Sequence, residues 1–319
     1  MTVRKEETGM NTRKPLDATA TSLMVGLCFC FGLQQVALKA AAQDMAPILQ
    51  ISLRSGLAAL LVVGLMLARR ERLVQISRTW KPGLAVGVLF FLEYLFTGQS
   101  LRYTSASRSV VFLYTSPIFA ALILHFMEAS ERMAPRQWAG ILLAFCGIAV
   151  AFLGHQTVAG QGADLSLLGD ALALLAGASW GVTTVVIRMS SLATVPAKQT
   201  LLYQLAGACV LLFPMAALLH QTDFTVTPIL LLSLGYQVFI LSFVAFLLWF
   251  WLLRHYQASR IGVLSFMTPL FGVLLGAVLL HEPVEPGFVT GALLVVAGLV
   301  LVSGAGWISQ SLKKFRRPA

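Results

Sequence analysis

The sequence predicts an all-α integral membrane protein, with ten transmembrane helices arranged as two five-helix repeats of inverted topology. Three observations predict this: a composition too apolar for water, ten apolar segments of bilayer-spanning length, and an internal repeat holding an odd number of segments. Of the 319 residues, 58% are hydrophobic and only 11% are charged, against roughly a quarter charged in an ordinary soluble domain. A helix needs about 20 mostly apolar residues to cross the hydrocarbon. Segments of that kind lie at 18–40, 46–68, 82–103, 106–127, 136–153, 168–190, 197–219, 228–253, 258–280 and 286–308. No remaining stretch is long enough to house a soluble domain. The apolar run of the first segment exceeds a signal-peptide core and lacks a cleavage site, so it is read as a retained helix.

The net charge is +10, and its placement gives the orientation. With the N-terminus in the cytoplasm, 19 of the 23 Lys and Arg residues fall on that side, including Arg69, Arg70, Arg72, Arg78 and Lys81 between the second and third segments. The other side holds Lys39, Arg102 and Arg108, and Arg54 falls inside the second segment. This is the positive-inside pattern, which puts both termini in the cytoplasm. The basic residues are spread over short loops beside membrane helices, with no groove-reading partners, so a nucleic-acid role is set aside. Cys28, Cys30, Cys146 and Cys209 lie in apolar segments without CxxC or histidine spacing, so neither a metal nor a disulfide framework is expected.

The second half of the sequence echoes the first. Ala106-Ser107-Arg108, Val111, Pro117 and Phe119 recur as Ala258-Ser259-Arg260, Val263, Pro269 and Phe271, at an offset of 152. Glu131, Gly140 and Gly147 recur as Glu282, Gly291 and Gly298, at an offset of 151. Phe31-Gly32, Lys39, Pro47 and Gln50 match Trp180-Gly181, Arg188, Pro196 and Gln199, at an offset of 149. Five helices per repeat is an odd number, so the second copy enters the membrane from the opposite side. Two halves of opposite orientation are a recurring plan of secondary transporters, because their conformations can be exchanged to expose a central site to either side. A duplicated scaffold or a channel remains the structural alternative.

On these residues the chain resembles the drug/metabolite transporter superfamily, in its branch built from two EamA-type repeats. The resemblance is carried by the Pro117 and Pro269 helices, by Glu131-x8-Gly140-x6-Gly147 and Glu282-x8-Gly291-x6-Gly298, and by the Phe31-Gly32 and Trp180-Gly181 pairs. It covers residues 18–308; the whole chain divides into a cytoplasmic tail (1–17), a first repeat (18–153), an extracytoplasmic linker (154–167), a second repeat (168–308) and a basic cytoplasmic tail (309–319). The resemblance implies export of amino acids or related small metabolites across a bacterial inner membrane, and the chain looks most like amino-acid exporters, including those for aromatic amino acids. It also implies a central cavity bordered by helices 1, 3, 4, 6, 8 and 9.

Pro117 and Pro269 fall near the middle of their segments, where a proline lacks its N–H and displaces the carbonyl four residues back, here those of Leu113 and Ser265. Each is expected to bend or loosen its helix, as a gating hinge or as a static kink. Gly140 and Gly147, and again Gly291 and Gly298, lie seven residues apart and therefore on one helix face. Such stripes let backbones approach closely, so the fifth and tenth helices are read as packing elements.

Arg54 and Glu93 are the ionisable residues placed deepest. A charge there costs about 2.5–3.5 kcal/mol, so each should face a partner or water. Two readings stand: an ion pair locking the second and third helices, or a site in which Arg54 meets a substrate carboxylate and Glu93 an ammonium or a coupling proton. Gln34, Tyr94, Gln99, Tyr114, Trp180, Tyr236, Gln237 and Trp249 are further candidates for substrate contact. Tyr and Trp combine a flat apolar body with one polar tip, which suits a cavity wall.

The expected function is a secondary transporter exporting amino acids or related small metabolites by alternating access, with efflux of lipophilic cations or drugs as the alternative and a channel or scaffold behind it. No HExxH, GxSxG or paired acidic motif points to an enzyme, no cofactor is expected, and no GxxxxGK[ST] supplies an ATPase. The expected partners are a small-molecule substrate and the lipid bilayer, with no ATPase subunit. Phosphorylated substrates would want several cations in the core, and only Arg54 is there.

Overall fold

The computed structural model describes residues 17–128, 132–153, 163–256 and 264–315. They form helices α1 (Ala18–Ala40), α2 (Pro47–Ala68), α3 (Ile76–Tyr103), α4 (Ala106–Leu113), α5 (Ser116–Met127), α6 (Pro135–Leu153), α7 (Ala163–Met189), α8 (Ala197–Leu218), α9 (Pro228–Gly235), α10 (Phe246–His255), α11 (Met267–Leu279) and α12 (Pro286–Phe315). A π-helical stretch, Tyr236–Ala245, joins α9 to α10. Among the described residues there is no strand; Met45 and Phe224 pair in an isolated bridge.

Seven helical stretches are long and apolar enough to cross a membrane: Ala18–Ala40, Pro47–Ala68, Ile76–Tyr103, Ala106–Met127, Leu165–Met189, Ala197–Leu218 and Pro228–Trp249. Three shorter apolar stretches, Pro135–Ala151, Met267–Leu279 and Pro286–Leu301, coincide with the other three segments expected from the sequence. Of segment 258–280, only the part from Leu264 onward is described. Two helices begin earlier than expected. α3 starts at Ile76 and carries Pro82 inside it, and α7 starts at Ala163. Glu131 and Ala258-Ser259-Arg260 lie outside the described residues.

The proline segments break outright. α4 ends at Leu113, Tyr114 and Thr115 make a turn, and α5 starts at Ser116 with Pro117 as its second residue. At that position the missing N–H falls among first-turn donors that have no intrahelical partner anyway. The turn is stitched by Ile118 N donating to Thr115 O (2.9 Å) and by the Thr115 hydroxyl donating to Phe112 O (2.6 Å). The second copy repeats this: Ser265 and Phe266 make a turn, α11 starts at Met267, and Thr268 N donates to Ser265 O (3.0 Å). The expected mid-helix bends are therefore full interruptions, with each proline in the first turn of the downstream half.

Glycines of the opposite repeat lie against these downstream halves. A methyl on Gly181 would sit 2.8 Å from Phe119 Cβ and from Ser116 O, and one on Gly32 would sit 2.9 Å from Phe271 Cβ and 3.1 Å from Thr268 O. Phe119 and Ser116 are the repeat counterparts of Phe271 and Thr268, so α7 meets α5 as α1 meets α11. α12 lies along α6 with Gly147 against Gly291 and Gly298 against Gly140; a methyl on Gly147 would come within 2.6 Å of Gly291 O. Elsewhere α3 packs on α7 and α8, and α2 packs on α8. The two largest apolar clusters lie around α2, α3 and α8 and around α4, α6 and α12, with smaller ones between α1 and α10 and between α5 and α7.

The second helix of each repeat ends in the same way. Arg70 and His220 adopt left-handed backbone (φ 53° and 52°), and the next amide reaches back five residues, Glu71 N to Met66 O and Gln221 N to Ala216 O, both at 2.8 Å. This is the Schellman pattern, which satisfies carbonyls that the helix end leaves open.

Candidate functional site

Arg54 sits on α2, buried (2% exposed), and its Nε and Nη1 have no hydrogen-bond partner. Its guanidinium lies 4.7 Å from the ring centroid of Tyr94 on α3, a cation–π arrangement that offsets part of the cost of burying the charge. The Tyr94 hydroxyl interacts with both Arg54 and Gln34 of α1, and its ring is held edge-on against Phe90 at 4.6 Å. One residue before Tyr94, Glu93 is also buried, and its Oε2 has no partner. Arg54 and Glu93 are within electrostatic range of each other but do not form the ion pair that the sequence allowed. The helix-locking reading therefore loses its contact.

Other groups converge on the same region. Tyr114, at the α4–α5 break, interacts with Glu93, Tyr94 and Cys28, and with Thr268 in the first turn of α11. Trp180 of α7 stands edge-on to Tyr114 at 5.3 Å. Tyr236, the first residue of the π-helical stretch, donates its hydroxyl to Cys30 O and is within range of Arg54. Trp249 packs against Phe31 at 6.3 Å. π-helical geometry recurs at functional sites because the wider turn re-aims side chains. Here it brings Tyr236 and Gln237 inward.

Two sequence candidates are engaged elsewhere. The Gln237 amide donates to Ser233 (2.9 Å) and Gln50 (3.2 Å), and Gln50 in turn donates to Met45 O (2.8 Å) and Leu38 O (3.2 Å). This is a buried network that ties α2 to α9, and it leaves only Gln237 Oε1 without a partner. Gln99 accepts from Arg102 at 3.4 Å near the end of α3, about 9 Å along the helix from Glu93. Pro117 and Pro269 lie beside Ser116 and Thr268 at the two breaks, while the Gly140, Gly147, Gly291 and Gly298 seam belongs to α6 and α12.

Sequence reasoning missed a second polar assembly, at the end of the bundle that carries the α1–α2 connection. Arg108, expected at the extracytoplasmic end of the fourth segment, is buried; its Nε donates to both Asp170 oxygens (3.0 and 2.9 Å), its Nη2 also reaches Asp170, and Nη2 donates to Ala151 O (2.9 Å). Glu285 lies 3.9 Å away. The Glu282 carboxylate takes the Ala106 N–H (2.6 Å), the Ser107 N–H (3.0 Å) and the Ser107 hydroxyl (2.6 Å), capping α4. Lys39 donates to Leu101 O and to Thr104 O (2.9 Å) at the end of α3. The signal in the sequence was the repeat itself, since Ser107, Arg108 and Glu282 were among its matched residues. Among the described residues no cluster of three or more His, Cys, Asp and Glu side chains forms a metal site.

Chemically, the central region offers a buried cation with unspent donors, a carboxyl group with an unspent oxygen, and aromatic side chains from α3, the α4–α5 turn, α7 and the start of the π-helical stretch. The comparisons agree with a transport role. A model of the EamA-like transporter family matches residues 18–153 and 167–304. The chain is 24% identical to the uncharacterized transporter YoaV of Bacillus subtilis (strain 168), over 87% of this chain and 94% of that protein. It is 27% identical to a probable amino-acid metabolite efflux pump of Escherichia coli (strain K12), over 87% and 92%, and 27% identical to a protein of the same description in Salmonella typhimurium, over 85% and 90%. One crystal structure superposes with a TM-score of 0.64 at 20% identity, covering 93% of this chain and 99% of the other, which speaks to the fold alone. With both of its halves matched, the chain belongs to the EamA-like transporter family, within the drug/metabolite transporter superfamily, and is a multi-pass membrane transporter.

Proposed function

We propose that this transporter exports amino acids or closely related zwitterionic metabolites across a bacterial inner membrane, by alternating access of two inverted five-helix repeats with both termini in the cytoplasm. The observation that carries the reading is Arg54: a buried guanidinium with two unpartnered nitrogens, in range of a buried Glu93 with an unpartnered oxygen. A buried charge is tolerated when something completes it. A zwitterion completes both, its carboxylate on Arg54 and its ammonium on Glu93, with its side chain among Tyr94, Tyr114 and Trp180.

The inverted arrangement is supported by the glycine seam. Gly147 meets Gly291 and Gly140 meets Gly298, so equivalent helices of the two repeats cross antiparallel. The ten-span count is supported by the three shorter apolar stretches, and the orientation by the charge map. In this reading the Lys39, Glu282 and Arg108–Asp170 contacts hold the extracytoplasmic side shut, and the two helix breaks are where the downstream halves tilt. The relatives described as probable amino-acid metabolite efflux pumps favour the same substrate class.

The test is counterflow in liposomes reconstituted with the purified protein, using labelled aromatic and aliphatic amino acids beside a nucleotide sugar and a lipophilic cationic dye. Exchange of amino acids is expected. Exchange of the dye alone would contradict the proposal in favour of cation efflux, and silence across the panel from folded protein would count against carriage altogether.

A further inference from the structure

The two repeats end their second helices identically, but the residues just beyond differ in a way that points to a ligand. After α2, the Glu71 carboxylate receives the Lys198 ammonium at 2.7 and 2.9 Å, from the start of α8. After α8, the matching position is Gln221, 150 residues on by the shared left-handed turn at Arg70 and His220. Its side chain is buried (8% exposed), and its Oε1 has no partner. The position matching Lys198 at the start of α2 is Leu49, by the offset of 149 that also relates Gln50 to Gln199. At one end of the bundle the start of α8 supplies an ammonium to the acceptor; at the other the matching position at the start of α2 supplies none, and the lysine at the cavity wall, Lys39, comes from α1.

Gln221 lines a cavity of about 450 Å³ together with Lys39, Arg102, His220 and Asp223, against the first turn of α2 at Ala46 and Pro47. That volume is in the range of small-molecule sites. Ala46 gives α2 no side-chain cap, so the positive end of a 22-residue helix is uncapped at this wall. Lys39 spends two of its donors on Leu101 O and Thr104 O, which leaves a third. The exposed Arg102 makes one long hydrogen bond, to Gln99 at 3.4 Å, and lies 5.8 Å from the Tyr103 ring centroid. The cavity thus has a cationic side suited to a carboxylate and, at Gln221 and the Asp223 carboxylate, an acceptor side suited to an ammonium.

We infer that this cavity is a second binding site, distinct from the Arg54 region, for a small α-amino acid, with its ammonium on Gln221 Oε1 and its carboxylate toward Lys39 and Arg102. Its substrate class rests on the proposed function; the cavity, its charges and the missing repeat lysine do not. Under the proposed orientation it lies on the outer face, directly against the lysine that ties down the end of α3. An amino acid there competes for Lys39 and so reports external substrate to the closed side.

The test measures retention of a labelled mixture of the common amino acids by purified full-length protein carrying Arg54→Gln, which disables the central region. Retention is expected to persist, to fall about tenfold with Gln221→Leu or Arg102→Gln, and to rise severalfold with Gln221→Glu, which copies Glu71. Melting in detergent checks that these variants fold. Loss of all retention in Arg54→Gln, with counterflow by the unaltered chain intact, would overturn the second site and leave the transport reading standing. Retention that ignores Gln221 and Arg102 would also overturn it. Retention sensitive to Gln221 in a chain that shows no counterflow would support the site and contradict the transport reading.

Discussion

Two buried arginines divide the work of this molecule. Arg108 is 7% exposed and Arg54 is 2% exposed, so both have left water, yet only Arg108 has been fully compensated, by Asp170, the Ala151 carbonyl and Glu285. Arg54 is left with the face of Tyr94 and two nitrogens unmet. A charge whose partners are all internal contributes to one conformation of the bundle. A charge with open donors at membrane depth is, under the proposed function, the one that a substrate carboxylate completes. The difference goes with placement: Arg108 ties helix ends together at one face of the bundle, while Arg54 sits along α2 against Tyr94 of α3 and in range of Tyr236 at the start of the π-helical stretch.

The largest expected effect comes from unbalancing the paired arginine. Asp170→Ala strands the Arg108 guanidinium and also removes the acceptor of the Thr104 hydroxyl (2.7 Å); it should destabilise the fold by about 3–5 kcal/mol, read as a lower melting temperature and poor recovery in detergent. Arg54→Gln, by contrast, should melt close to the unaltered protein, because no ion pair is broken and the Tyr94 hydroxyl keeps Gln34 as a partner. Equal losses from the two variants would erase the comparison.

Next is the seam that holds the repeats together. Gly298→Leu must displace Gly140 O and Ala144, which a Cβ would approach to 2.5 and 2.7 Å; overpacking of this kind costs about 1–3 kcal/mol. The same measurement on Gly64, where a Cβ meets nothing within 4 Å, should show no comparable loss for Gly64→Leu. The smallest effect is expected at the prolines. Pro117→Ala and Pro269→Ala should each change stability by less than about 1 kcal/mol, because both prolines occupy first-turn positions where no intrahelical bond is regained. A large gain in stability from either would mean that the proline, rather than its surroundings, enforces the break.

How much was legible beforehand follows from where each signal resides. The repeat, the apolar segments and the paired glycines are local patterns with fixed spacing, so they can be read from one strand of letters. The depth of Arg54 and Glu93 could also be read, since each interrupts an apolar run. Their geometry could not. Whether two charges on neighbouring helices touch depends on rotation about the helix axes, and here Arg54 turns to the ring of Tyr94 instead. Arg108 was expected at the outer face because it stands in the first turn of the fourth apolar segment, just after Thr104-Ser105; its burial is imposed by Asp170 and the 280–285 connection, both distant in sequence. The π-helical stretch left no trace, because Tyr236–Ala245 has no glycine or proline to mark the change of pitch. α3 was placed six residues short because Pro82 reads as a first-turn residue, and the helix instead carries it internally.

The central claim is that the open donors of Arg54 receive the substrate. It is tested most directly by amino-acid counterflow through liposomes holding equal amounts of folded unaltered protein and Arg54→Gln. The account predicts a loss of at least about tenfold in exchange rate with no fall in melting temperature, since a hydrogen bond to a charged group is worth about 1.5–3 kcal/mol. Exchange at the unaltered rate would contradict it and return Arg54 to the architecture of the bundle.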